Sequence, residues 1–129
     1  SNPPLSNRQL RIGEQVKQAL ALLLQNDDFL LPAELKALVS ISEVRMTRDL
    51  KLATCYFSVN QQVDAPALMA DLNKKNETIR TLMSRHLRHM KYMPAFRFRI
   101  DESLENYEKI EKLLRDPVVL QDLQAKTED

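Results

Sequence analysis

Eight cationic side chains lie between Lys74 and Arg99: Lys74, Lys75, Arg80, Arg85, Arg88, Lys91, Arg97 and Arg99, against the single acid Glu77. The whole chain carries a formal charge of only +1, so the remaining residues lean acidic. One face of the folded protein is therefore expected to be basic, and such asymmetry predicts a polyanionic partner better than net charge does. Arginine forks contact phosphate oxygens in pairs, which favours a nucleic-acid backbone over a generic anion. A solvated helix face is the plain alternative for any charge run. Such a face normally mixes both signs, and this one hardly does. Arg80, Arg85, Arg88, Lys74, Lys75 and Lys91 are the candidate phosphate contacts. Arg8, Arg11 and Lys17 extend this set or are ordinary surface; for Arg45, Arg48, Arg97 and Arg99 surface is the default.

Other reactive residue types offer less. His86 and His89 are spaced i, i+3, but no HExxH pattern, cysteine or carboxylate cluster accompanies them, and their basic neighbours disfavour a cation. Auxiliary RNA contact or plain surface is the better reading, and no metal is expected. Cys55 is the only cysteine, so no internal disulfide can form. It lies mid-strand between Ala53 and Phe57, the place of a small core residue rather than a nucleophile. With one glycine, Gly13, the chain lacks any Gly-rich phosphate cradle. No catalytic set can be nominated from spacing. Neither an enzyme, a cofactor nor a small-molecule substrate is expected. Aromatic residues make up 5% of the chain, with no tryptophan, so a broad stacking platform for bases is not expected. Phosphate contacts and shape reading of a folded RNA junction should dominate instead.

These residues need elements to carry them. Residues 1–6 read as a loose leader. Ser6 and Gln9 form a capping box for a first helix, whose stripe is Ile12, Val16, Ala19, Leu20, Leu23 and Leu24. Asn26-Asp27-Asp28 ends it, and 29–36 connect, with a turn of helix after Pro32. Val39, Ile41, Val44 and Met46 mark a first strand whose alternation slips near Ser42, which predicts a bulge. Thr47-Arg48-Asp49-Leu50 turns the chain into a second strand with Ala53, Cys55, Phe57 and Val59 on one face, giving an antiparallel hairpin. Asp64 and Pro66 start the next helix. Helical spacing then runs from Leu68 to Met90 but falters at Lys75-Asn76-Glu77. A break there divides it, with the second helix reaching from Thr78 to Met90 before Pro94 stops it. Asn76, tolerant of a left-handed backbone, is the expected pivot. Phe96, Phe98 and Ile100 alternate with Arg97 and Arg99 in a third strand. A last helix spans 101–114, capped at Ser103, with an acidic face from Glu105 to Glu111. Gly13, inside the first helix, predicts a close helix–sheet contact.

At 129 residues one core suffices without staples. No run approaches the length of a membrane span, and no charged region followed by an apolar stretch marks a signal peptide. The expectation is a cytoplasmic monomer without membrane association. The class is α+β: a single KH-like (type II) domain ordered helix-strand-strand-helix-helix-strand plus a C-terminal helix, its three-stranded sheet covered by helices on one face. The domain should span residues 7–115, with 116–129 a tail.

On this order the residues resemble the ribosome-binding factor A family, bacterial small-subunit maturation factors. The stretches that carry the likeness are Arg8-Gln-Leu-Arg11, Val39-Ser-Ile-Ser-Glu-Val-Arg45, and Asp49-Leu-Lys-Leu-Ala-Thr-Cys-Tyr-Phe-Ser58. Later come Ile79-Arg80, Leu87, Met93-Pro94-Ala-Phe-Arg-Phe98 and Asp101-Glu-Ser103. Together they cover roughly residues 7–115. The resemblance implies a non-enzymatic factor that binds the immature small ribosomal subunit and its rRNA, assists late rRNA processing near the decoding region, and supports growth in the cold. The family's helix–kink–helix element is built on Ala-x-Gly; here Lys75-Asn76-Glu77 stands in its place. A different reading is an interaction module that docks a basic partner on its acidic last helix.

Overall fold

The computed structural model describes residues 4–102. Helix α1 (Asn7–Asn26) leads into a short 3-10 turn (Ala33–Leu35), strand β1 (Val39–Met46) and strand β2 (Leu52–Val59). Helices α2 (Ala65–Lys74) and α3 (Asn76–Met83) follow, then strand β3 (Ala95–Ile100). The sheet runs β1-β2-β3, with β1 antiparallel and β3 parallel to β2. This is the expected KH-like order. The helix expected over 101–114 and the tail after it lie outside the described residues, apart from Asp101 and Glu102.

Side-chain parity splits the sheet into an apolar and a polar face. Val39, Ile41, Val44 and Met46 of β1, with Ala53, Cys55, Phe57 and Val59 of β2 and Phe96 and Phe98 of β3, are all buried. Val16 and Leu20 of α1, Leu72 of α2, and Ile79 and Met83 of α3 cover them with no exposed surface. Each such burial stabilises the fold by about 1.5–3 kcal/mol relative to an exposed side chain. The opposite face carries Arg45, Thr54, Tyr56, Arg97 and Arg99. Arg45 meets Glu43 at 3.5 Å, and Arg97 donates to the Thr54 hydroxyl at 3.1 Å.

The bulge falls where the alternation slips: the β1–β2 register shifts between Ile41 and Glu43. Ser42, the extra residue, lies within hydrogen-bond reach of the Tyr56 carbonyl at 3.2 Å and the Asp101 carboxylate at 2.7 Å. Beside it, α1 comes very close. A Cβ on Gly13 would sit 2.6 Å from the Val44 carbonyl oxygen, inside contact distance with backbone that cannot swing away. That explains a glycine where alanine would favour the helix by about 1 kcal/mol. One turn earlier, Gln9 closes the capping box with Ser6 and also donates to the Met46 carbonyl at 3.0 Å.

Two expectations need correction. The second half of the split helix ends at Met83, not Met90. Its last turn tightens: the Ser84 hydroxyl donates to the Thr81 carbonyl at 2.6 Å, and the Arg85 and His86 amides reach back three residues, to Leu82 and Met83. Serine at this point offers its own bond in competition with the helical one. Leu87 remains buried, and Met90 half-buried, but both are held by turns. The pivot between α2 and α3 is Lys75 (φ −89°, ψ 12°), in the bridge region of backbone space, rather than Asn76 in a left-handed conformation. Asn76 instead opens α3 and accepts from the Phe96 amide at 3.3 Å.

Candidate nucleic-acid interface

The charged residues singled out from sequence divide into three places. Arg8 and Arg11 leave the first turns of α1, Arg80 the middle of α3, and Lys91 the loop before β3. The fold brings these four to one groove of about 920 Å³. Lys51, just past the β1–β2 turn, joins them as a fifth cation. Ile12, Leu50, Met90 and Met93 give the groove an apolar floor, and Tyr92 stands at its edge, 75% exposed. Among the described residues the ion pairs are Lys36–Asp28, Arg45–Glu43 and Lys75–Asp71, so no groove cation is held in an ion pair, although Asp49 attracts Lys51 without closing to one.

Local bonds fix several groove members in place. Arg80 donates to the Met93 carbonyl at 3.1 Å, so its guanidinium ties α3 to the loop before β3. His89 pairs with Gln15 of α1 at 3.1 Å, joining that loop to the opposite wall. The Lys91 ammonium lies 5.5 Å from the centre of the Tyr92 ring. Asp49 is the acid on the rim, and it accepts from the Lys51 amide at 3.0 Å and the Thr47 hydroxyl at 2.8 Å. Those bonds, the Lys51 amide first, hold its carboxyl below the ordinary aspartate range. The same turn holds Leu50 at φ 63°, a left-handed backbone that a leucine adopts only against steric resistance. Strained residues gather at functional sites, and this one lies in the floor of the basic groove.

At the α2–α3 joint the picture is different. Lys75 donates to the Asp71 carboxylate at 2.8 Å and to the Phe29 carbonyl at 2.7 Å, and lies 4.7 Å from the Phe29 ring centre. Its charge therefore has partners within the fold. Lys74, next to it, is exposed. Asn73 and Asn76 together close the free edge of β3. Asn73 accepts from the Phe98 amide at 2.8 Å and donates to its carbonyl at 3.1 Å, while Asn76 takes the Phe96 amide. An edge strand is thus capped by side chains.

Arg85 and Arg88 occupy the turns after α3, both exposed, rather than one helical face. They do not line the groove. His86 is exposed in the same turns, and no group of metal-binding side chains exists among the described residues. Burial pushes the Cys55 thiol up to about 12, so it stays protonated and unreactive. Sequence reasoning missed Lys51 and Tyr92. Their only signal was position: one follows a hairpin turn, the other lies just ahead of Pro94 and β3, and neither belongs to a pattern. No described helix is long and apolar enough to cross a membrane.

Comparison with known proteins adds a lineage to this geometry. Residues 8–114 match the sequence model of a family described as Ribosome-binding factor A. The chain is 50% identical over 118 residues to the ribosome-binding factor A of Chelativorans sp. (strain BNC1), covering 92% of this chain and 88% of that protein. To the Sinorhizobium medicae (strain WSM419) protein of the same name it is 48% identical over 124 residues, covering 96% and 92%. Among solved structures, the crystal structure of ribosome-binding factor A from Thermus thermophilus superposes with a TM-score of 0.60 at 21% identity, covering 71% of this chain and 94% of that one. A homology model of the Thermus thermophilus ribosome binding factor A, fitted into the cryo-EM map of a 30S complex, gives 0.54 at 20% identity, covering 70% and 92%. At those identities the two structures speak for the fold.

Proposed function

The chain belongs to the ribosome-binding factor A family, and from that membership we propose that it is a non-enzymatic assembly factor of the small ribosomal subunit. The family match over residues 8–114, together with a relative about half identical over most of the chain, is the observation that carries this reading. The groove supports it independently, because five cations without an ion-pair partner among the described residues suit a polyphosphate backbone. Arg8, Arg11, Arg80 and Lys91 contact phosphate from the groove. Lys74, Arg85 and Arg88 add contacts from neighbouring surface, with Lys75 secondary because its ammonium is already engaged. A domain over 7–115 acts in the cytoplasm as a monomer, without cofactor or small-molecule substrate. It uses binding energy to favour one rRNA conformer late in processing and leaves when the mature form is reached. Support of growth in the cold belongs to the same reading.

Sedimentation of the tagged protein with cell extract, at low and moderate salt, tests this. Comigration with free small subunits, but not with large subunits or translating ribosomes, is expected. Release should follow rising salt. A protein that stays at the top of the gradient at both salts would remove the assembly-factor reading.

A further inference from the structure

The groove has features that phosphate binding alone does not need. Its floor of Ile12, Leu50, Met90 and Met93 is apolar, and phosphates gain nothing from it. Tyr92 keeps 75% of its surface exposed at the edge, so its ring is accessible to a stacking partner. Asp49 sets a fixed hydrogen-bond acceptor among five cations, which would weaken a purely anionic ligand. A ligand that satisfies all three has a negatively charged backbone, a flat apolar face and a donor. We propose that this groove takes an unpaired nucleotide of the RNA, its base against Tyr92 and the apolar floor and its flanking phosphates on Arg8, Arg11 and Lys51.

This inference rests on the RNA-binding reading above and narrows its ligand to a single-stranded element. A continuous duplex keeps its bases stacked inside and offers the groove only sugar and phosphate. A strand, bulge or junction can turn a base outward. One ring is enough for this role, since it holds one base rather than a run. The Asp49 carboxylate then accepts from a ribose 2′-hydroxyl or an exocyclic amine. At the α2–α3 joint Asn73, Lys75 and Asn76 are engaged within the fold and are not part of this nucleotide site.

The test uses the full chain with a labelled, unstructured oligoribonucleotide, the same sequence annealed as a blunt duplex, and polyglutamate as competitor, read by fluorescence anisotropy. The single strand should bind more tightly than the duplex, and polyglutamate should compete weakly. Tyr92→Ala should weaken single-strand binding on the order of tenfold with an unchanged salt slope, while Tyr92→Phe retains affinity. The combined Arg8→Glu and Arg11→Glu variant should weaken strand and duplex alike and flatten the salt slope. Because Tyr92 is exposed, unfolding midpoints of its variants should match the parent's. Equal affinity for strand and duplex, an unchanged Tyr92→Ala affinity, no binding of the strand, or full competition by polyglutamate overturns the proposal. If small subunits still capture the protein in that case, the nucleotide site falls while the family function stands; if they do not, both fall.

Discussion

The groove and the α2–α3 joint draw on the same kinds of residue, yet they employ them oppositely. In the groove, Arg8, Arg11, Lys51 and Lys91 come from segments far apart in sequence and converge without an ion-pair partner among the described residues. At the joint, Lys75 is satisfied by Asp71 and by the carbonyl and ring of Phe29, and Asn73 and Asn76 are bonded to the backbone of β3. Charge density along the chain does not separate these cases. What separates them is whether the fold supplies a counter-group, and that is a tertiary property. A cation held by its own fold mainly stabilises; one left without such a group is available to a ligand.

Five experiments would break or sharpen this contrast. The largest effect should come from Arg8→Glu with Arg11→Glu, which ought to weaken small-subunit association about a hundredfold, equivalent to about 2.7 kcal/mol, with an unchanged melting temperature. Arg85→Glu with Arg88→Glu, outside the groove, should also disrupt association without altering melting. A large loss of stability in either pair would return those side chains to a structural role. Next, Asn73→Ala should destabilise the protein by roughly 2 kcal/mol in urea unfolding, because the Phe98 amide and carbonyl lose their partner. RNA affinity of the folded fraction should be unaltered. Lys75→Ala should cost about 1 kcal/mol of stability, from its ion pair and ring contact, with little change in binding. Weakened binding with intact stability would move Lys75 into the interface.

The smallest effect concerns acid. Asp49 has a folded pKa below that of an unfolded aspartate, near 3.9. Its contribution to stability is therefore complete above the unfolded value and is lost as pH falls through the folded one. Asp49→Asn should slightly flatten the acid limb of a melting-temperature profile and leave the neutral plateau in place.

Much of the architecture was legible because it depends on local period and capping. The slip between Ile41 and Val44 announced the bulge at Ser42, Ser6 and Gln9 announced the capping box, and Gly13 announced the close approach to β1. The break at Lys75-Asn76-Glu77 was also visible, but not its geometry. Asn76 has a long-range partner in β3, which no local rule reveals. The helix end at Met83 was hidden because Leu87 and Met90 keep helical spacing while packed from turns. Of the groove, sequence held most of the cations but not their grouping. Arg8 and Lys91 meet only because α1 crosses beside the loop before β3, and Tyr92 gains meaning only from what surrounds it.

The parallel pairing of β2 with β3 has a consequence in time. The β1–β2 hairpin closes over a short turn, whereas the β2–β3 partners, such as Thr54 and Arg97, are 43 residues apart in sequence. Loop-closure entropy delays such distant pairings relative to local ones. One wall of the groove belongs to α1 and the hairpin turn, the other to α3 and the loop delivered with β3. A nascent or partly folded chain therefore holds half a groove until β3 pairs with β2.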